Sequence, residues 1–323
     1  MRFDVQNLPD HFLAIALRGA AFAAARVAPV LARDKTIERI SNLKFGEYKD
    51  GRSIRPKLLD IYRPKEIPAT GLPIAIVVHG GGFRFFSKDS HATVAVQMAR
   101  AGYLTFTIDY RLAPKHPFPA GLIDVLQAYD WVLREASRYG ANSERPVVIG
   151  ESAGANLLLG LNLHLFGIEV LKSPEVPTFP NDVSKFPKKA VLHCGLMQVS
   201  QPERYLSVCH PIVMSRMRQI QRNYLPQSWN ITNGRWGLAD PLLILEDLVA
   251  RGVKLPAGFP EALIPIGGND PILIDSERLA EVFKKLGHPA KLDVYPGQSH
   301  AFYTFTFRKQ SLECWDDIYR FLK

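Results

Sequence analysis

The chain has 323 residues, of which 47% are hydrophobic and 22% charged, enough apolar material for a large buried core and too little charge for a disordered chain. Its formal net charge of +9 is spread out, and the densest basic run, Lys185-Phe186-Pro187-Lys188-Lys189, is short and broken by proline. No nucleic-acid module accompanies it, so nucleic acid is excluded as a partner. Three cysteines, Cys194, Cys209 and Cys314, show no C-x-x-C spacing. That excludes a disulfide framework and a sequence-encoded metal site, and implies a reducing, cytoplasmic setting with Cys194 in a strand as an inert core thiol.

Residues 11–32 are rich in alanine and leucine, but Asp4 and Asp10 precede them and Arg18 and Arg26 interrupt them. This pattern is expected of neither a signal peptide nor a membrane span. Phe12, Ile15, Ala16 and Phe22 stand near helical spacing, which predicts an amphipathic helix. Such a helix covers its own protein in the favoured reading and lies on a membrane surface in the alternative one. Residues 44–48 and 58–62 read as strands joined by the turn Lys49-Asp50-Gly51-Arg52. The unbroken apolar run 74–78 reads as a strand buried on both faces, ending in His79-Gly80-Gly81-Gly82-Phe83.

A helix is expected over 90–100, a strand over 103–108, a proline-rich loop, and a long helix over 120–139. The strand 146–149 leads into Gly150-Glu151-Ser152-Ala153-Gly154 and a helix-forming run. This is the pattern of a nucleophile elbow, in which a serine sits on a sharp strand-to-helix turn between residues small enough to let backbone pass. Another strand is expected over 190–193. Residues 197–258 are irregular, with a helical stretch near 211–224, and read as an insertion over one face of the sheet. Strand 262–266 ends in Gly267-Gly268-Asn269-Asp270-Pro271, helix 276–286 follows, strand 291–295 ends in Pro296-Gly297-Gln298-Ser299-His300, and helix 307–322 closes the chain. Alternating strands and helices predict an α/β fold, one mostly parallel sheet with helices on both faces and functional residues at the carboxyl ends of its strands.

A serine hydroxyl needs a base, and the base an orienting carboxylate. Ser152, Asp270 and His300 occur in the order nucleophile, acid, base, each after an expected strand. Asp275 is read instead as a helix cap, Asp293 as a strand-face residue, and Asp240 as a weaker rival within the irregular segment. Gly81, Gly82 and Ala153 can offer backbone N–H groups to a developing oxyanion. No G-x-x-x-x-G-K-[ST] pattern makes the glycine run a phosphate cradle, and His79 is read as holding the loop.

The runs 79–83, 109–120 (Asp109-Tyr110-Arg111-Leu112-Ala113-Pro114 through His116-Pro117-Phe118-Pro119-Ala120), 150–154, Asp270-Pro271 and His300-Ala301-Phe302 together resemble the hormone-sensitive-lipase family of α/β-hydrolases. The resemblance implies a carboxylesterase acting on short- to medium-chain acyl esters without a cofactor or metal. It also implies a catalytic core over 36–197 and 259–323, with a cap from 1–35 and 198–258. Asp109 and Arg111 match structural positions and are expected to pair with each other. Two departures stand out. Glu151 replaces the family's usual Asp or Thr, and Arg84-Phe85-Phe86 replaces a stretch that often carries a further glycine. These place Phe83, Phe85, Phe86 and Glu151 around a tight, aromatic substrate pocket. A small-molecule ester is the expected partner, and a homodimer an admissible assembly. The same motifs leave an amidase or aryl-acetamide deacetylase and an interfacial lipase as alternatives. A non-catalytic receptor on this scaffold would be marked by loss of the base, which His300 supplies.

Overall fold

Eight strands form one sheet in a computed structural model that describes residues 19, 23–142, 145–179, 182–226 and 237–323. The strands are β1 (Ile37–Asp50), β2 (Ser53–Pro64), β3 (Ile74–Val78), β4 (Leu104–Ile108), β5 (Val147–Glu151), β6 (Lys189–His193), β7 (Glu261–Gly267) and β8 (Ala290–Tyr295). Their spatial order is β1-β2-β4-β3-β5-β6-β7-β8. Only β2 runs antiparallel to its neighbours, and from β4 to β8 every pairing is parallel. The first two strands are longer than the apolar pattern suggests. Their outer ends carry charged and polar residues exposed to solvent, so the hairpin continues on backbone pairing where no apolar alternation marks it.

The helices are α1 over residues 23–31, α2 (Ala92–Arg100), α3 (Ala120–Glu135), α4 (Ala153–Leu165), α5 (Pro211–Tyr224), α6 (Pro241–Ala250), α7 (Leu273–Lys285) and α8 (Lys309–Leu322). Strand β3 shows why both faces need cover. All five of its side chains are buried, and alternate residues point to opposite sides. Ile74, Ile76 and Val78 enter a core shared with α3, α4, α6 and α7, whereas Ala75 and Val77 join Val94, Met98, Trp315 and Ile318 from α2 and α8. The expected mostly parallel sheet with helices on both faces is therefore present. At one edge Ala28 of α1 and Ala32 just beyond it pack against Tyr62 and α2, and Asp34 pairs with Arg100 at 2.7 Å. The rest of the expected N-terminal helix, including Phe12, Ile15, Ala16 and Phe22, lies outside the described residues.

Candidate active site

Ser152 stands between β5 and α4 with φ 52° and ψ −113°. A non-glycine residue held there stores about 1–3 kcal/mol of backbone strain, which the packing around it must offset. The flanking glycines make the turn sterically feasible. A Cβ on Gly150 would lie 2.6 Å from the backbone of Gly154 and Ala155, and one on Gly154 would lie 2.2 Å from the carbonyl oxygen of Val78. The elbow is tied to the end of β6, since the Ser152 N–H donates to the His193 carbonyl at 2.9 Å and the Leu196 N–H to that of Ser152 at 3.2 Å.

Asp270 and His300 follow β7 and β8. These two strand ends are stitched together by Gly268 N–H to Tyr295 O at 2.8 Å and Asn269 N–H to Gln298 O at 2.9 Å. Gly267 allows this approach, because a Cβ there would meet Gln298 O at 2.2 Å. The result is a hydrogen bond of 2.8 Å from His300 Nδ1 to Asp270 Oδ2, with Asp270 fully buried and its other oxygen accepting the Ile272 N–H at 3.0 Å. Burial works against charge on His300, while Cys194 and Asp270 push its pKa well above the ordinary value. Burial in turn pushes the Cys194 thiol up to about 11, so that thiol is neutral at neutral pH and the operative push is that of Asp270. Among the described residues no hydrogen bond joins the Ser152 hydroxyl to His300, although both line one cavity. Hydrogen bonds of this kind commonly tighten only once substrate is in place.

The glycine run leaves β3 in conformations that a side chain resists, with φ 106° at Gly81 and 58° at Gly82. A Cβ on Gly81 would sit 2.3 Å from Phe85 O, because the loop folds back on itself through Arg84 N–H and Phe85 N–H to Gly81 O. Within the described residues the N–H groups of Gly81, Gly82 and Ala153 donate no hydrogen bond. His79 contacts Gly80 O through Nδ1 at 2.8 Å, stacks on Tyr110 at 4.2 Å, and is driven by burial to a pKa of about 3, so it is a neutral structural ring. Glu151 packs beneath Gly80, where a Cβ would meet its Oε1 at 2.7 Å, and faces His91 Nε2 at 3.4 Å. Burial opposes its charge, but His91 holds its carboxyl below the ordinary carboxylate value.

These parts border a cavity of about 370 Å³ whose walls include Gly81, Gly82, Phe85, Phe86, Glu151, Ser152 and His300. Helix α5 closes it with Arg216, Met217 and Ile220, and both Arg84 and Arg216 donate to Gln219 Oε1. The described N-terminal residues contribute nothing to this wall, and α6 packs on α4 and α7 rather than over the cavity.

Several expectations need correction. Phe83 is not a pocket residue. It is buried and stacked on Tyr224 at 3.7 Å, anchoring α5 to the glycine loop. Asp109 and Arg111 do not pair with each other. Arg111 forks onto Asp124 at 2.9–3.0 Å, while Asp109 accepts the Lys88 N–H at 2.7 Å and is pushed by burial up to about 6. Asp275 is no helix cap. It is a buried acceptor for the Met197 and Gln198 N–H groups and for the Arg204 guanidinium, all at 2.9–3.2 Å. Cys194 lies one residue beyond β6, at the site rather than in the strand core. His91 was not singled out in the sequence, nor were Arg216, Met217 and Ile220, although the helix that carries those three was expected. The signal for α5 was its helical apolar spacing (Met214, Met217, Ile220), which does not say which surface it faces.

The family described as the alpha/beta hydrolase fold matches residues 75–304. Among curated proteins, the chain is similar to the carboxylesterase NlhH of Mycobacterium tuberculosis (40% identity over 87 residues, 27% of each chain). It is also similar to the ethyl acetate hydrolase of Pseudomonas putida (33% over 130 residues, 40% of each chain) and to the hormone-sensitive lipase of Mus musculus (31% over 153 residues, 44% of this chain and 19% of that one). These matched stretches span well under half the length of each relative. Among solved structures, the hyperthermophilic esterase of Pyrobaculum calidifontis superposes with a TM-score of 0.71 at 23% identity, covering 94% of this chain and 91% of that one. The esterase LipW of Mycobacterium marinum does so with 0.71 at 24%, covering 95% and 88%. The strand order, the elbow and the family match over residues 75–304 agree, and the chain belongs to the alpha/beta hydrolase fold family, among relatives of the hormone-sensitive-lipase kind.

Proposed function

We propose that the protein is a serine carboxylesterase that hydrolyses short- to medium-chain acyl esters of small molecules. The observation that carries this reading is the strained Ser152 elbow facing the same cavity as the His300–Asp270 pair. Ser152 attacks the ester carbonyl as His300 Nε2 takes its proton. Asp270 holds the imidazole with Nδ1–H toward itself and stabilises the imidazolium that forms. The N–H groups of Gly81, Gly82 and Ala153 receive the oxyanion, one such donor being worth about 3–4 kcal/mol in the transition state. The tetrahedral intermediate collapses, His300 gives the proton to the leaving alcohol, and water, deprotonated by the same base, releases the acid from the acyl-enzyme.

The cavity volume lies toward the lower end of the range for small-molecule pockets, about 300–1,000 Å³, and Phe85 and Phe86 narrow it. This supports short acyl groups. In this reading α5 is the described part of the cap, closing the pocket over the sheet and the helices packed on it. No helix among the described residues is long and apolar enough to cross a membrane. The test is hydrolysis of a p-nitrophenyl ester series by the purified protein. Activity should peak at short chains, vanish in Ser152→Ala, and be blocked by an organophosphate attached to Ser152. Labelling at another residue, or undiminished turnover in Ser152→Ala, would overturn the assignment.

A further inference from the structure

Ester hydrolysis leaves Cys194 without a task, yet its thiol sits against the base. Cys194 is fully buried and takes φ 39°, a left-handed conformation that a non-glycine residue adopts only where surrounding contacts hold it. Its N–H is held by Pro265 O at 2.9 Å. Its Sγ stands 4.0 Å from His300 Nε2 and 3.1 Å from Nδ1 of His193, a ring stacked at 3.7 Å on Tyr303. Ligand atoms of Cys194, Asp270 and His300 all lie within 4.8 Å of one another, and no other group of three or more His, Cys, Asp or Glu is gathered in this way among the described residues.

Asp270 occupies His300 Nδ1, so Nε2 is the ring nitrogen toward the sulfur, and in the neutral ring it carries the lone pair. A thiol, an imidazole lone pair and a carboxylate bracing the far ring nitrogen are the donors that zinc and cations of similar softness take. Zinc bonds of about 2.3 Å to sulfur and about 2.0 Å to nitrogen put the two donors roughly 3.5 Å apart in a tetrahedral site. The 4.0 Å found here closes with a half-ångström movement of a ring that is about one-third exposed to the cavity.

We propose that Cys194 and His300, braced by Asp270, form a site for zinc or a like divalent cation that switches the enzyme off reversibly. The switching rests on His300 being the base of the proposed reaction. On binding, the thiol proton and, from the charged ring, the Nε2 proton of His300 leave to solvent, one Zn–S and one Zn–N bond form, and water from the cavity that His300 lines completes the coordination, with no change of oxidation state. The Nε2 lone pair is then committed to the metal and cannot accept the Ser152 proton. Chelation restores the free base because no covalent bond of the chain has been cut.

The experiment titrates chelator-treated full-length protein with zinc chloride, reading heat of binding and residual ester hydrolysis, and with cobalt chloride, reading the near-ultraviolet thiolate-to-cobalt band. Wild type should bind one ion per chain, lose its activity in step, recover it with EDTA, and show the cobalt band. Cys194→Ala and Cys194→Ser should each raise the half-inhibitory zinc concentration at least about tenfold, measured against their own metal-free rates, and lose the band. Cys209→Ala should keep both responses. An unchanged half-inhibitory concentration in both Cys194 variants, or a cobalt band that survives them, overturns the proposal. Calorimetry and the cobalt band read the metal site even if the protein hydrolyses no ester, so failure of the site and failure of the proposed function are distinguishable.

Discussion

Gly154→Ala probes the contact on which the elbow depends. The new methyl group would stand 2.2 Å from Val78 O and 2.6 Å from His79 O, where ordinary contact begins at 3.4 Å. Both obstacles are backbone at the end of a central strand, so neither rotates away. The deficit of more than 1 Å must be met by moving α4 and the elbow away from the glycine loop. Overpacking of this kind costs about 1–3 kcal/mol of stability. Because the displacement runs between Ser152 and the oxyanion donors, the catalytic loss is larger. A misplacement of about 1 Å costs on the order of a hundredfold in rate. The assay pairs kcat/KM on p-nitrophenyl butyrate with urea unfolding. Gly102→Ala serves as the control, since Gly102 has φ +88° but nothing within 4 Å of the place its new methyl group would take. That variant should lose about 1 kcal/mol of stability from its backbone conformation alone and retain full activity. If Gly154→Ala keeps activity within a few-fold of wild type while Gly102→Ala behaves as stated, the close-approach argument is wrong.

Asp270→Asn should lower kcat steeply and move the acid limb of the pH–rate profile to lower pH. The carboxylate raises the His300 pKa, so removing it lets the ring stay neutral in more acidic solution, and an unmoved limb refutes that coupling. Asp275→Asn should act on folding rather than on chemistry, because it leaves the Arg204 guanidinium without its buried counter-charge. Breaking such a pair costs about 3–5 kcal/mol, to be read as a fall in urea midpoint with the acid limb of the profile unchanged. Phe86→Gly should extend the chain-length profile toward longer acyl groups. Phe86 already has φ 70°, a glycine-compatible backbone, and its ring lines the cavity, so an unchanged profile shows that it does not limit the acyl pocket.

The order of strands and helices and the sharp turn at Ser152 were legible because each carries a local signature. An apolar run of five residues between turn signals is too short for a helix and reads as a strand with both faces covered, and glycines on either side of a serine report a steric need that acts within a few residues. The distribution of partners was not legible, since it depends on residues far apart in the chain. Arg111 meets Asp124 because α3 folds back beside it, and Asp109 meets the Lys88 backbone instead. Phe83 stands close to two pocket aromatics in sequence, but its ring is buried in the stack with Tyr224 instead of lining the cavity. Asp275 had the position of a helix cap, and only the return of the 197–204 segment over α7 made it a buried acceptor.

The amino-acid sequence by itself determined the fold family and the turn that presents Ser152, because these are written in local sterics and hydrophobic period. The tertiary structure alone decided what surrounds His300. Cys194 and His300 are 106 residues apart, and no spacing rule joins them. They meet because parallel β6, β7 and β8 deliver their carboxyl ends to one edge of the sheet.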